Sequence, residues 1–349
     1  MSSSLPSSLH TSFPWNSEPH AIWIATSLVL KRNLSRYNFP SKIQEPELDQ
    51  IMQTLKGSFI ENAGLEKPTF VESKELSATD KELIFEHFLF LKGFQESPNG
   101  SGVIMDEKGE FLALINTGNH LEMRALNINT PWENTWNALT QIDNTIGQAH
   151  GFAFSPKFGY LTADPAQCGT GLIVNAYLHL PALIHANQLE SALANSQQDE
   201  LIFMDLSGDF IIIQNNFTIG LSEEAILHAV QTAATKLIGA EKTMRAHLKE
   251  EQNTEIKDLI SKAFGLIVHS FQLETKEALD LLSLMKLGLA LGYISGVSDA
   301  KLNELFFKCR RGHLSRLFPE LKEPKEIAKQ RADFLQQEVQ GITLSPELQ

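Results

Sequence analysis

Cysteine is nearly absent: among 349 residues there are only Cys168 and Cys309. They form no CxxC pair and no disulfide-like spacing, which excludes a disulfide-built fold and a cysteine zinc centre and suits a reducing compartment. The 11 histidines show no HExxH pattern, so no metal site is expected. Positive charge is also scarce, with 29 Lys and Arg against 42 Asp and Glu, a net charge of −13 and a pI near 5.3. That balance argues against nucleic acid or an anionic membrane as partner, and a polyanionic ligand would need a local basic pocket. No apolar run approaches the ~20 residues that cross a bilayer. The opening "MSSSLPSSLHTSFPW" lacks the basic and apolar regions of a signal peptide. Residues 1–18 are therefore expected to be a flexible Ser/Pro-rich tail and the protein cytoplasmic.

What is present reads as α+β. "SKIQEPELDQIMQTLKGSFIENA" and "TDKELIFEHFLFLKGF" have helical period and make a small helical N-terminal part. "GVIMDEKGEFLALINTGNHLEMRAL" breaks at DEKG and TGN and predicts a three-stranded meander. "ELIFMDLSGDFIIIQNN" predicts a hairpin turning at Ser207-Gly208-Asp209. In "GLIVNAYLHLPAL", Leu172, Val174, Ala176, Leu178 and Leu180 share one face, and Ile173, Asn175, Tyr177 and His179 the other. From Ser222, an N-cap serine followed by acidic first-turn residues, the pattern becomes helical to the end. The expected architecture is an antiparallel sheet flanked by helices over residues 19–245, then an all-helical domain over 246–349.

Several segments together carry a resemblance. "GYLTADPAQCGTGL" with "HLPAL" resembles the GYLTxCPTNxGTGLR…HLP segment of the ATP:guanidino phosphotransferases, the phosphagen kinases. In collinear order, "IATSLVLKRNLSRYNFP" resembles SSRIRLARNLxxxPFP, "LINTGNHLEMRAL" resembles xNEEDHxRI, and "IIIQNNFTIGLSEEAI" resembles FQISNQxTLGxSEEEI. "LNELFFKCRRGHLSRL" resembles the additional helical domain of the bacterial protein-arginine kinases. The resemblance implies a phosphagen-kinase-like catalytic domain, transfer of the γ-phosphoryl of MgATP to a protein arginine, a small zinc-containing activator as partner, and a dimer or other oligomer.

Carried residue by residue, the family's charged tools are exchanged. Its triphosphate arginines fall on Ser27, Val29, Glu122 and Ile173, and its RGxxGE loop falls near "NSQQDELIF", which has no arginine. The carboxylates of EEDH fall on Thr117, Gly118 and Asn119, and the reactive cysteine on Asp164. His87 and His179 match histidines near the family's nucleotide pocket. Phosphoryl transfer depends on cations around the triphosphate and on carboxylates that orient a guanidinium of pKa above ~12. No intact catalytic residue and no cofactor are therefore expected, and the leading expectation is a pseudokinase that binds or scaffolds protein partners. The alternative is an active phosphotransferase using MgATP with rearranged chemistry, with Lys31 and Arg124 as the nearest cations, although the strand pattern alone does not orient them toward the site.

Smaller expectations follow. Gly169, Gly171 and Pro165 hold a turn, Arg32 makes a structural salt bridge, and His120 is half-exposed. Glu122 and Asp164 are either solvated carboxylates or an acidic cleft for a partner's arginine or lysine. "IAKQRA" keeps Arg331 but has Ile327 and Ala328 where the family's phosphoarginine-sensing motif has Arg-Asp. "KCRRGH" reads as a solvated basic helix face or a docking patch.

Overall fold

The computed structural model describes residues 5–6, 9, 20–91, 99–128, 132–196, 200–321 and 323–348. The chain divides into two compact units: one of residues 1–14, 25–175 and 214–230, the other of residues 15–24, 176–213 and 231–349. An eight-stranded sheet runs in the order β2-β3-β4-β5-β1-β8-β10-β9. Its strands are β1 Trp23–Arg32, β2 Thr69–Glu72, β3 Gly102–Met105, β4 Phe111–Ile115, β5 Leu121–Asn127, β8 Leu172–His179, β9 Leu201–Leu206 and β10 Phe210–Asn215. A separate ribbon pairs β6 Phe154–Ser155 with β7 Gly159–Tyr160. The unit boundary falls within β1, β8, β10 and the helix Glu223–Glu250.

In the first unit the DEKG and TGN breaks give the expected meander, β3–β4–β5, all antiparallel. The TGN turn forms because Asn116 takes a left-handed φ of 55°, which asparagine tolerates, while its side-chain amide donates to Leu48 O and Gly100 O at 2.8 Å each. Helix α1, Glu45–Glu61, buries Leu48, Ile51, Met52, Leu55 and Phe59 and packs on β3. Each such side chain contributes about 1.5–3 kcal/mol on burial. The second expected helix stops early, at Ala78–His87 (α2), with a capping box between Ser77 and Asp80; residues 92–94 of that stretch lie outside the described residues. Helix α3, Glu133–His150, was not anticipated, although Leu139, Ile142 and Ile146 recur at helical spacing and are buried. It packs against β5 and α1.

Of the expected tail, Leu5, Pro6 and Leu9 are described. Leu5 and Leu9 are buried, so these residues are packed rather than solvated, because leucine gains by leaving water.

In the second unit the hairpin β9–β10 turns at residues 207–209 as expected, with Gly208 at φ 83° and Asp209 at φ 57°. The short helices α4 Pro181–His185 and α5 Leu189–Ser196 precede it. Then come α6 Glu223–Glu250, which joins this unit from residue 231, α7 Thr254–His269, α8 Thr275–Leu291, α9 Asp299–Lys308, α10 Arg311–Leu317 and α11 Pro324–Glu338. Ser222 Oγ accepts from Ala225 N at 3.1 Å, the expected cap. The C-terminal region is not purely helical, since Ile294–Ser295 (β11) pairs with Thr343–Leu344 (β12). The α8 turn at Gly292, with φ 84°, sends the chain into that ribbon.

Candidate functional site

The register of β1 against β5 places Lys31 opposite Glu122, Val29 opposite Arg124 and Ser27 opposite Leu126. Directly opposed residues share a sheet face, so Lys31 and Arg124 stand on the same face as Ser27, Val29 and Glu122. The strand pattern alone had left their direction open; cross-strand register supplies it. Arg124 Nη1 donates to Ser27 Oγ at 2.9 Å and to Phe88 O at 3.4 Å, and its guanidinium lies 4.1 Å from the Phe90 ring centroid. Lys31 Nζ donates to Gln167 Oε1 at 2.7 Å. Glu122 sits between them, 3.7 Å from Lys31 Nζ and 3.4 Å from Arg124 Nη2. Its charge is thus matched inside the protein, which corrects the picture of Glu122 as a freely solvated carboxylate. Ser27, Val29 and Ile173 are all buried.

The loops expected at the acceptor side do come together. Asn119 Oδ1 accepts from Asn33 Nδ2 at 2.7 Å and from Ala163 N at 2.8 Å, which joins the Thr117-Gly118-Asn119 turn to the loop that carries Asp164. Where a carboxylate would serve a guanidinium, this amide is spent on the scaffold. Asp164 is exposed, and its Oδ1 accepts from Ala166 N at 3.1 Å, capping the short turn Pro165–Gln167. A local reason for aspartate at this position is therefore turn chemistry. Cys168 is buried, with Sγ 3.4 Å from Thr162 N.

His120 is wholly buried rather than half-exposed. Its Nδ1 accepts from Leu34 N at 3.0 Å, and burial pulls its pKa from 6.5 down to about 4. His87 is equally buried and its Nε2 lies 2.8 Å from Gly109 O. His179, in the other unit, is buried too, with Nε2 2.8 Å from Ser283 Oγ. Ser283 in turn donates to Asp209, which His185 approaches at 3.1 Å. Each of these histidines is hydrogen-bonded to protein atoms.

The glycines do hold a turn. Gly169 has φ 111°, and a Cβ there would lie 2.4 Å from Thr218 O; at Gly171, φ 63°, it would lie 2.7 Å from Lys31 O. Arg32 makes the expected buried ion pair, and its partner is one that sequence reasoning missed: Asp143 on α3, with Nη2–Oδ2 at 2.9 Å and Nε–Oδ1 at 3.0 Å. The signal was the periodic apolar spacing around it, which places Asp143 beside buried Ile142. Arg331 is likewise structural, donating to Cys309 O and Leu273 O at 2.7 Å each. KCRRGH is not a solvated face, since Cys309 and His313 are buried and Arg310 Nε donates to Phe306 O at 3.1 Å. Of the expected loop near residues 195–203, residues 197–199 lie outside the described residues. Among the described residues no helix is long and apolar enough to cross a membrane.

An eight-stranded antiparallel sheet edged by helices, with a glycine turn leading into its interior strand β8, is the architecture of a guanidino-kinase catalytic domain. Residues 50–244 match the family model for the ATP:guanido phosphotransferase C-terminal catalytic domain, and the chain belongs to that family. Residues 253–347 match the model described as the protein-arginine kinase McsB C-terminal domain. Similar proteins include the protein-arginine kinase of Chlamydia pneumoniae, 32% identical over 343 residues, 95% of this chain and 94% of that one. That of Bacillus subtilis is 27% identical, over 90% of this chain and 89% of the other. Among solved structures, lombricine kinase aligns with a TM-score of 0.54 at 18% identity, over 69% of this chain and 76% of that one. The substrate-free duplicated taurocyamine kinase from Schistosoma mansoni aligns at 0.55 and 20% identity, over 65% of this chain, which spans only 33% of that chain. These two likenesses support the fold alone.

Proposed function

We propose that this family member is a pseudokinase: it works through protein binding, as a scaffold or regulatory partner, rather than by phosphorylating arginine. The observation that carries this reading is the state of the carried positions. Ser27, Val29 and Ile173 are buried and uncharged, and Glu122 occupies the space between Lys31 and Arg124. Losing several charge-assisted hydrogen bonds of about 1.5–3 kcal/mol each removes most of a micromolar affinity of about −8 kcal/mol. On the acceptor side, Asn119 and Gly118 supply no base, and the nearby carboxylate, Asp164, is turned to a backbone amide. The partner would be a protein, with a homologue of the family's small zinc-containing activator as the first to try. The family's C-terminal domain suggests that it acts as a homo- or hetero-oligomer in the cytoplasm.

A second reading, an active phosphotransferase with displaced cations, has its own support. Positions 29 and 122, which lack the family's arginines, each face a cation across the β1–β5 pair, Arg124 and Lys31. In that reading these two residues would hold the phosphates of MgATP, and Asp164 would orient the acceptor guanidinium. Titration calorimetry with MgATP, run beside an active protein-arginine kinase, separates the readings. Absence of heat supports the binding protein; saturable heat followed by acid-labile phosphoarginine on a protein substrate supports the enzyme.

A further inference from the structure

A second feature of the first unit lies away from these residues. A cleft of about 440 Å³ opens between α3, the β4–β5 pair and the loop after α1. Phe111, Leu139 and Ile142 give it an apolar floor, and Glu66, Asp106 and Glu110 line it with carboxylates. On β5 it is lined by Ala125 and Leu126, and the side chain of Ala125 alternates with that of Arg124 and so points away from the Lys31–Glu122–Arg124 face.

Asp106 is the unusual member. It is 7% exposed, and its Oδ1 accepts from Glu110 N and Phe111 N at 2.9 Å each. Among the described residues it has no ion-pair partner. Lys108, the basic residue of the lining, is taken by Glu66 at 3.4 Å, with both side chains mostly exposed. Burial raises the pKa of Asp106, and partial desolvation together with the Asp106 charge raises that of the more exposed Glu110, against the pull of Lys108 on both. The lining sets Glu66, Asp106 and Glu110 against Lys108, a net negative charge that attracts a cationic group. A metal ion is a poor match, because among the described residues no group of three His, Cys, Asp or Glu is placed to hold one. A long aliphatic stem with a cationic head matches both parts of the lining.

We propose that this cleft receives a lysine or arginine side chain of a partner protein, with its stem on Phe111, Leu139 and Ile142 and its head on Asp106 and Glu110. The inference holds whether or not the protein binds ATP. It is tested on the full chain by methyl NMR of Leu139 and Ile142 during titration with acetyl-arginine amide, acetyl-lysine amide and, as the neutral isostere, acetyl-norleucine amide. The cationic amides are expected to shift both residues saturably, with millimolar affinity, and norleucine amide is expected not to. Glu110→Gln, at an exposed position, weakens binding about fivefold, the value of a partly solvated charge pair. Asp106→Asn, which keeps an acceptor for the two backbone amides, weakens it further, and Glu122→Gln leaves it unchanged. No saturable shift, an equal response to norleucine amide, or indifference to Glu110→Gln overturns the proposal. Shifts abolished by Glu122→Gln would move the basic-ligand site to the other face and overturn it equally.

Discussion

Replacing Asp143 by alanine isolates the interaction that anchors the candidate site to the helix behind it. Arg32 is 2% exposed and Asp143 6%, and they meet through Nη2–Oδ2 at 2.9 Å, Nε–Oδ1 at 3.0 Å and Nε–Oδ2 at 3.3 Å. Removing one partner of a buried pair strands the other charge and costs about 3–5 kcal/mol. Here the guanidinium keeps Lys31 O at 3.0 Å, Thr170 O at 2.8 Å and the Tyr160 ring 3.7 Å away, so the lower end, about 3 kcal/mol, is expected. A double variant, Arg32→Met with Asp143→Leu, removes both charges and is expected to recover at least about 2 kcal/mol of that loss. Urea unfolding of the single and double variants measures the coupling directly. An Asp143→Ala loss below about 1 kcal/mol, or strictly additive losses, would refute the reasoning and mean that water already screens the pair. The consequence reaches the site: Arg32 holds Thr170 O and Lys31 O, and Lys31 N donates to Gly171 O at 3.0 Å, so amide exchange at Lys31 should accelerate in Asp143→Ala.

Gly169→Ala should cost more than about 2 kcal/mol or abolish soluble expression, because its φ of 111° and the approach to Thr218 O leave no room for a Cβ; a neutral effect on the urea midpoint would sink the claim. Stability should fall as pH drops from 6.5 toward 4. Buried His120 stays neutral to about 4 while its unfolded form takes up a proton near 6.5, a loss of up to about 3 kcal/mol, and buried His179 shifts the same way. His120→Gln should flatten that slope, and an unchanged slope would assign it elsewhere. Glu122→Gln removes a carboxylate about 4 Å from the cations, worth up to about 4 kcal/mol at an effective dielectric of 20, so pyrophosphate should bind at least tenfold tighter to the variant than to the parent. Equal, undetectable binding would show that Lys31 and Arg124 are committed to the scaffold.

Much of this protein could be read without coordinates. Turn chemistry at DEKG, TGN and Ser207-Gly208-Asp209 set the hairpins, because backbone conformations with positive φ select the residues that tolerate them. Helical period and caps located α1 and the C-terminal helices, and the ordered segments around the Gly-Thr-Gly turn carried the family. Each of these signals is local or collinear. What the sequence could not express is adjacency between residues distant along the chain. Alternation within each strand leaves the direction of Lys31 and Arg124 open, and the β1–β5 register puts them on the same face as Ser27, Val29 and Glu122. Asp143 lies 111 positions from Arg32, and Asn119 86 from Asn33. His120 looked half-exposed beside a turn, but Leu34 N closes over it. Asp164 shows the division within a single residue: the turn it caps is written in Asp-Pro-Ala-Gln, while its place beside Asn119 exists only because two loops from different parts of the chain are brought together by the sheet. Local backbone preference acts over a few residues and so survives in sequence; charge pairing, burial and register act through space, and the tertiary structure decides them.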